Sequence, residues 1–282
     1  MMTCRPPGGS SGHSRIAVLT WSNRRFKEVE RVICGYCARH GYDRLVSDKW
    51  RNKSMLAGEQ GTTWQKIPYL LEELKHYEAI LHVDDDVVIN QLEQPVEAVL
   101  DAFPHRDWFL SAVERNGRKF QGSPKTGVFI VRNTPFVHDT LRRLLTEPEC
   151  ARFRNMTTCC REQDCLWQLM TRRVSIMRSF RQNSGKFGFL MSVDFDCRDD
   201  SSYHSSIHYG KCERPFAFHG MGTEGWAKAR YISRKAAALL PIASRTDWME
   251  GRVNLTNASR YSSGSPDPSP LWGCSTWNLC KG

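Results

Sequence analysis

Residues 79 to 90 read Ala-Ile-Leu-His-Val-Asp-Asp-Asp-Val-Val-Ile-Asn, an apolar run broken by three consecutive acids. A short apolar run of this kind reads as a buried strand. Aspartate is depleted in strands and costly to bury without a partner, so Asp84, Asp85 and Asp86 belong where the strand emerges, facing a cation or a ring of donors. On an extended backbone, side chains two apart point the same way, which sets Asp84 and Asp86 on one side and Asp85 on the other. Two carboxylates on one side form a hard oxygen site for Mn2+ or Mg2+, best completed by a diphosphate. The competing reading of the triplet is a tight acidic turn between two strands.

The segments before the triplet read as a parallel sheet under construction. Arg15 to Thr20 is a buried strand that ends in a polar loop, Trp21-Ser-Asn-Arg. Phe26 to His40 carries Val29, Val32, Ile33, Tyr36 and Cys37 at helical spacing and stops at Gly41. A short strand, Arg44 to Ser47, then leads to Asp48. Strand, helix, strand begins a parallel α/β sheet whose ligand crevice lies beyond the carboxyl ends of its strands. Pro68 suits the first turn of a helix running to about Tyr77, which delivers the chain into the acidic strand.

Further on, Gln94 to Phe103 reads as a short helix, Asp107 to Val113 and Thr126 to Arg132 as strands, and Thr134 to Leu145 as a helix. Arg161 to Met170 is helical, with Cys165, Leu166, Leu169 and Met170 on its buried face and Gln163 and Asp164 near its start, where the helix dipole favours anions. Residues 174 to 215 read as short strands and loops, and Trp226 to about Leu240 as an amphipathic helix. The expected organisation is a disordered leader over 1–14, one catalytic domain over 15–250 and a tail over 251–282, with Cys274 and Cys280 able to close its end.

Composition narrows the class. An apolar fraction of 40% with 11% aromatics describes a globular protein, and no stretch reaches the 18 or more uncharged apolar residues of a membrane helix. The net charge of +10 suits nucleic acid, anionic membrane or phosphorylated small molecules. Because the basic residues are dispersed and no basic run carries interleaved aromatics, nucleic-acid binding is a weak reading and a solvated basic surface the preferred one. The chain holds 11 cysteines. Cys34-Gly-Tyr-Cys37 has redox and zinc spacing, but it lies in a helical pattern with no second such pair, so buried or disulfide cysteines are the expectation. Glycosylation acceptors begin at Asn52, Asn155, Asn254 and Asn257, and with the cysteines they tilt the expected location toward a lumen. The first ten residues do not read as a signal peptide, so work in the secretory pathway would require an anchor absent from this chain or a trimmed start.

The spacing of Trp64-x-Lys66-Ile67-Pro68, Asp84-Asp-Asp86-x-x-Ile89-Asn90 and Gly127-Val-Phe-Ile-Val-Arg132-Asn133 resembles that of the retaining GT-A glycosyltransferases. The likeness is strongest to the galactosyl/mannosyl/xylosyltransferase family of fungal Golgi and plant cell-wall enzymes. Glu162-Gln163-Asp164 on a helix, and His219-Gly220 followed by Trp226, resemble the wider group that includes the glycogenin-like transferases. The resemblance implies an α/β, GT-A type nucleotide-diphospho-sugar transferase fold, a mixed, mostly parallel sheet flanked by helices. It implies that Asp84, Asp86 and His219 bind Mn2+ or Mg2+ carrying the diphosphate of a UDP- or GDP-sugar, and that Asp85 lies toward the ribose or donor sugar. Gln163 and Asp164 would face the donor sugar near the reacting carbon, Thr20, Ser22 and Asp48 would surround the nucleoside, and Lys66 and Gly127 match positions of the donor-site motifs.

The expected activity is transfer of a hexose or pentose, with retention of configuration, to a hydroxyl of a glycan or glycoprotein in the Golgi lumen, with no nucleic-acid partner and membrane attachment only through an anchor outside this chain. Departures from the family pattern are the strand Ile-Leu-His-Val before the acids, Met-Gly after Gly220, and Thr126 where Asn or Ala commonly precedes the glycine. Two alternatives stand beside this reading. A metal-dependent phosphohydrolase also uses aspartates after a strand, although Val87 and Val88 stand where its hydroxyl residue is expected. A catalytically silent, glycan-binding GT-A relative would keep the sheet and lose the metal.

Overall fold

The computed structural model describes residues 15–21, 26–46, 63–112, 125–154, 161–171, 186–191, 196–197, 216–219 and 233–240. The expected leader, Ser22, Asp48 and the tail with Cys274 and Cys280 lie outside the described residues.

In chain order the elements are β1 (Ile16–Trp21), α1 (Lys27–His40), β2 (Asp43–Val46), α2 (Lys66–Glu73), β3 (Ala79–Asp84), β4 (Val87–Ile89), α3 (Val96–Ala102) and β5 (Trp108–Ala112). They continue with β6 (Lys125–Arg132), α4 (Pro135–Thr146), α5 (Pro148–Arg154), α6 (Arg161–Thr171), β7 (Phe187–Met191), β8 (Asp196–Cys197), β9 (Ala217–His219) and α7 (233–240). Local chemistry accounts for several boundaries. Gly41 ends α1 in the left-handed conformation, φ 70°, which glycine adopts without the steric cost a Cβ brings. Pro135 opens α4, and the Thr134 hydroxyl accepts a hydrogen bond from the Val137 N–H at 3.4 Å. The helix expected to reach Tyr77 is α2 flanked by single 3₁₀ turns, Thr63–Gln65 and Leu74–His76.

The larger sheet has six strands in the order β2-β1-β3-β6-β5-β7. β1 pairs in parallel with β2 and β3, β6 is antiparallel to both β3 and β5, and β5 and β7 are parallel. All these strands except β6 therefore run the same way, the mixed and mostly parallel sheet expected from the sequence. One face carries Val18, Leu81, Val83, Val128 and Ile130 against α1 and α3; the other carries Leu19, Ile80, Phe129 and Val131 against α2, α4 and α6. Each fully buried Val, Leu or Ile in these layers contributes roughly 1.5–3 kcal/mol of apolar burial.

The acidic segment departs from the extended-strand expectation. β3 ends at Asp84 and Asp85–Asp86 form a turn, so the alternation that would place Asp84 and Asp86 on one side stops two residues short of Asp86. The turn does not close a hairpin. β4 leaves the main sheet and enters a three-stranded one of order β4-β9-β8. Its onward segment is tied to α1 by the Tyr36 hydroxyl, which donates to the Gln94 carbonyl at 2.8 Å, and to the link between α1 and β2 by Tyr42, which bonds Glu97.

Cys34 is disulfide-bonded, whereas Cys37 is a buried free thiol whose pKa burial pushes up to about 12, so this pair is not a redox couple. Cys150 and Cys165 form a disulfide that fastens α5 to α6. Closing a loop of this length restricts the unfolded chain by about 3 kcal/mol. Replacing both residues with alanine is expected to lower the unfolding free energy in urea by about that amount, with a somewhat steeper transition because the denatured chain without the cross-link is less compact.

Candidate functional site

The carboxyl ends of β1 and β3 lie side by side, since Thr20 pairs with Val83 and Trp21 with Asp84. β6 runs the opposite way, and Val83 pairs with Val128, so the start of β6, Thr126 and Gly127, reaches the same edge. The chain thus brings the end of one strand and the beginning of another to a single rim, where such folds hold their ligands.

Lys66 lies at the start of α2 and is almost wholly buried, with 2% of its side chain exposed. Its ammonium donates to Asp84 Oδ1 at 3.2 Å, to the Thr126 carbonyl at 3.0 Å and to Glu162 Oε1 at 2.9 Å. Glu162, on α6, also accepts from the Thr126 hydroxyl at 2.9 Å, and the Thr126 N–H donates to Gln163 Oε1 at 3.3 Å. Burial pushes the Lys66 pKa down, but Asp84 and Glu162 more than reverse this and hold it above the ordinary lysine value. Burial likewise pushes the Asp84 carboxyl up, and Lys66, followed by His82, brings it below its ordinary value.

His82 shares a face of β3 with Asp84, and its Nε2 lies 2.9 Å from Asp84 Oδ1. Burial lowers the imidazole pKa more than Asp84 raises it, so the ring is neutral at pH 7 and its Nε2–H donates to the carboxylate. Phe129 stacks on the ring with centroids 4.6 Å apart.

The structure gathers part of the set expected from sequence. Asp84 joins Lys66 directly, and Gly127 stands beside it at the start of β6. Asp86 is buried in the turn with Asp85. Gln163 and Asp164 occupy the first turn of α6, half-buried. Thr20 is buried at the end of β1, and its hydroxyl has no hydrogen-bond partner among the described residues. The backbone of His219 pairs with Val87, the residue after Asp86. Ser22 and Asp48 lie outside the described residues. Among the described residues no cluster of three or more His, Cys, Asp or Glu side chains forms a metal cage.

The sequence pattern names Glu162 only within the Glu162-Gln163-Asp164 motif, with no task of its own, and assigns none to His82. A signal for Glu162 exists in hindsight: it stands one position before Gln163 and three before the buried Cys165, on the inward side of α6. Nothing local marks His82 as the neighbour of Asp84 beyond its spacing of two in a strand.

No family model matches the chain, and no curated protein matches it in sequence. Its fold is similar to that of a glycosyltransferase involved in the glycosylation of the major capsid of PBCV-1, with a TM-score of 0.53 and 15% identity over 78% of this chain and 98% of that one. Mouse xyloside xylosyltransferase 1 in its apo form is similar with a TM-score of 0.46 and 12% identity over 75% and 98% of the two chains. A197 from STIV gives a TM-score of 0.34 and 12% identity over 63% and 82%. The first likeness, with the strand order, places the chain in the α/β fold of GT-A type.

Replacing Lys66 with methionine removes the cation and leaves Asp84 and Glu162 without it. Breaking a buried ion pair in this way costs about 3–5 kcal/mol. In the native chain the lowered pKa of Asp84 contributes stability above its unfolded value, near about pH 4, which is lost as pH falls through the folded value. In Lys66→Met that contribution is gone, so the deficit is expected to be largest at neutral pH and to shrink on acidification. Denaturant titrations at several pH values measure it, and a pH-independent deficit would contradict the charge assignment.

Proposed function

We propose that the chain is a metal-dependent retaining glycosyltransferase that moves a hexose or pentose from a nucleotide-diphosphate sugar to a hydroxyl of a glycan or glycoprotein. The observation that carries this reading is the meeting, at one rim of a GT-A type sheet, of Asp84 and the Asp85–Asp86 turn with the first turn of α6, bridged by the Lys66 ammonium.

The donor set suits Mn2+ or Mg2+. Asp84 and Asp86 are hard oxygen ligands, and Asp84 is anchored on one side by N–H donors while 27% of its side chain stays exposed. His219, carried by β9 beside Val87, is the third ligand in this reading. In this reading the cation would be held by Asp84, Asp86 and His219. When bound, it offsets the negative charge left on the departing diphosphate.

The chain's own groups have the remaining tasks. The Thr20 hydroxyl, with Ser22 and Asp48, holds the nucleoside, and Asp85 lies toward the ribose or donor sugar. Gly127 leaves room for the sugar at the start of β6. Gln163, fixed by the Thr126 N–H, and Asp164 face the positive charge that grows on the sugar ring as its bond to oxygen lengthens. The acceptor hydroxyl approaches from the leaving-group side. The reading extends to action in the Golgi lumen, supported by the disulfide between Cys150 and Cys165 and the bonded state of Cys34, since such bonds persist in oxidising compartments. No helix among the described residues is long and apolar enough to cross a membrane.

A thermal-shift screen of nucleoside diphosphates with and without Mn2+ tests the proposal. Metal and one diphosphate together are expected to raise the melting temperature, and Asp86→Ala is expected to abolish the rise with the fold intact. With the matching UDP- or GDP-sugar the native chain should slowly hydrolyse its donor. Release of phosphate from simple phosphoesters instead would support a phosphohydrolase, and the absence of both activities and of any metal-dependent shift a silent relative.

A further inference from the structure

We propose that Glu162 is a positioning residue: by holding the Lys66 ammonium against itself it leaves the neighbouring Asp84 carboxylate a net negative charge with which to bind a divalent cation. The inference rests on the cation reading above and assigns a task to a residue outside the ligand set. An ammonium with 2% exposure has no water to stabilise it and must be neutralised by protein. If Asp84 were its only anion, the two charges would cancel and the Asp84 carboxylate itself would offer a cation little attraction.

The geometry directs the cancellation elsewhere. Lys66 Nζ lies 2.9 Å from Glu162 Oε1, nearer than the 3.2 Å and 3.4 Å that separate it from the two Asp84 oxygens. The Thr126 hydroxyl, at 2.9 Å, holds the same Glu162 oxygen in place. The exposures run in the same order: 5% for Glu162 and 2% for Lys66, but 27% for Asp84. One cation between two anions leaves a single excess negative charge, and it resides on the member that faces outward.

Binding of MnCl2 alone to the purified chain, followed by the electron paramagnetic resonance signal of free Mn2+, tests the inference. Glu162→Gln keeps the shape and the acceptor for Thr126 but removes the charge. It is expected to raise the Mn2+ midpoint more than fivefold. The double variant Lys66→Met/Glu162→Gln removes one charge of each sign, and its midpoint is expected within fivefold of the native value. A Glu162→Gln midpoint within fivefold of native would overturn the proposal, and so would a double variant that stays more than fivefold weaker, since a support for packing would not be rescued by deleting Lys66. Should Glu162→Gln fail to fold, the double variant decides alone by the same limit. Asp86→Ala separates the two layers of inference: a native chain that binds no Mn2+, or an Asp86→Ala midpoint equal to native, removes the cation site itself and with it the role of Glu162.

Discussion

One ammonium group joins the elements on which the rim of this molecule depends. Lys66 enters from α2, Asp84 from the end of β3, Glu162 from α6 and the Thr126 carbonyl from the start of β6, and all four meet within hydrogen-bonding distance. Burying a charge is costly, and ion pairs inside proteins often add little net stability over apolar packing. Their consequence is selectivity of arrangement, because the charges are tolerated only when every partner is in place. Here that condition ties the entry of α2, the register of β6 and the docking of α6 to a single geometry. The apolar layers, with Leu19, Ile80, Phe129 and Val131 on this face, supply the burial that holds the sheet and helices together but would tolerate small sliding of one element past another.

The reversed strand is the second determinant. Because β6 alone runs against its neighbours, the beginning of that strand, with Thr126 and Gly127, lies where β3 ends, a backbone carbonyl and an N–H both facing the acidic region. The turn at Asp85–Asp86 then moves the chain out of the main sheet, and β4 finds β9 as its partner. One consequence is that a histidine from far along the sequence is set beside the acids by strand register. Another is that the acids stand where the chain passes from the larger sheet to the smaller one.

Much of the architecture could be read from order and periodicity. The β1-α1-β2 unit, α4 behind its Thr134 cap and the inward stripe of α6 depend on neighbours within a few residues, the range over which sequence pattern carries information. Asp84 at the end of a buried strand was legible for the same reason, since an acid cannot remain in an apolar run. The relation of Asp84 to Asp86 was not: side-chain alternation presumes an extended backbone, and the backbone turns after Asp84 because β4 is drawn to a strand distant in sequence.

By itself, the sequence determined the buried strands β1, β3 and β6, the stop of α1 at Gly41 and the start of α4 after Thr134, and that an acidic group must stand at a strand terminus. Only the tertiary structure decided that Lys66 and Glu162 share one buried charge, that His82 supports Asp84 from the same face, and that Thr126 binds Glu162 rather than pointing elsewhere. The division follows from the physics. Helical and strand periodicity arises from contacts close along the chain, whereas electrostatic pairing depends on separation in space, which chain order leaves open until packing brings the partners together.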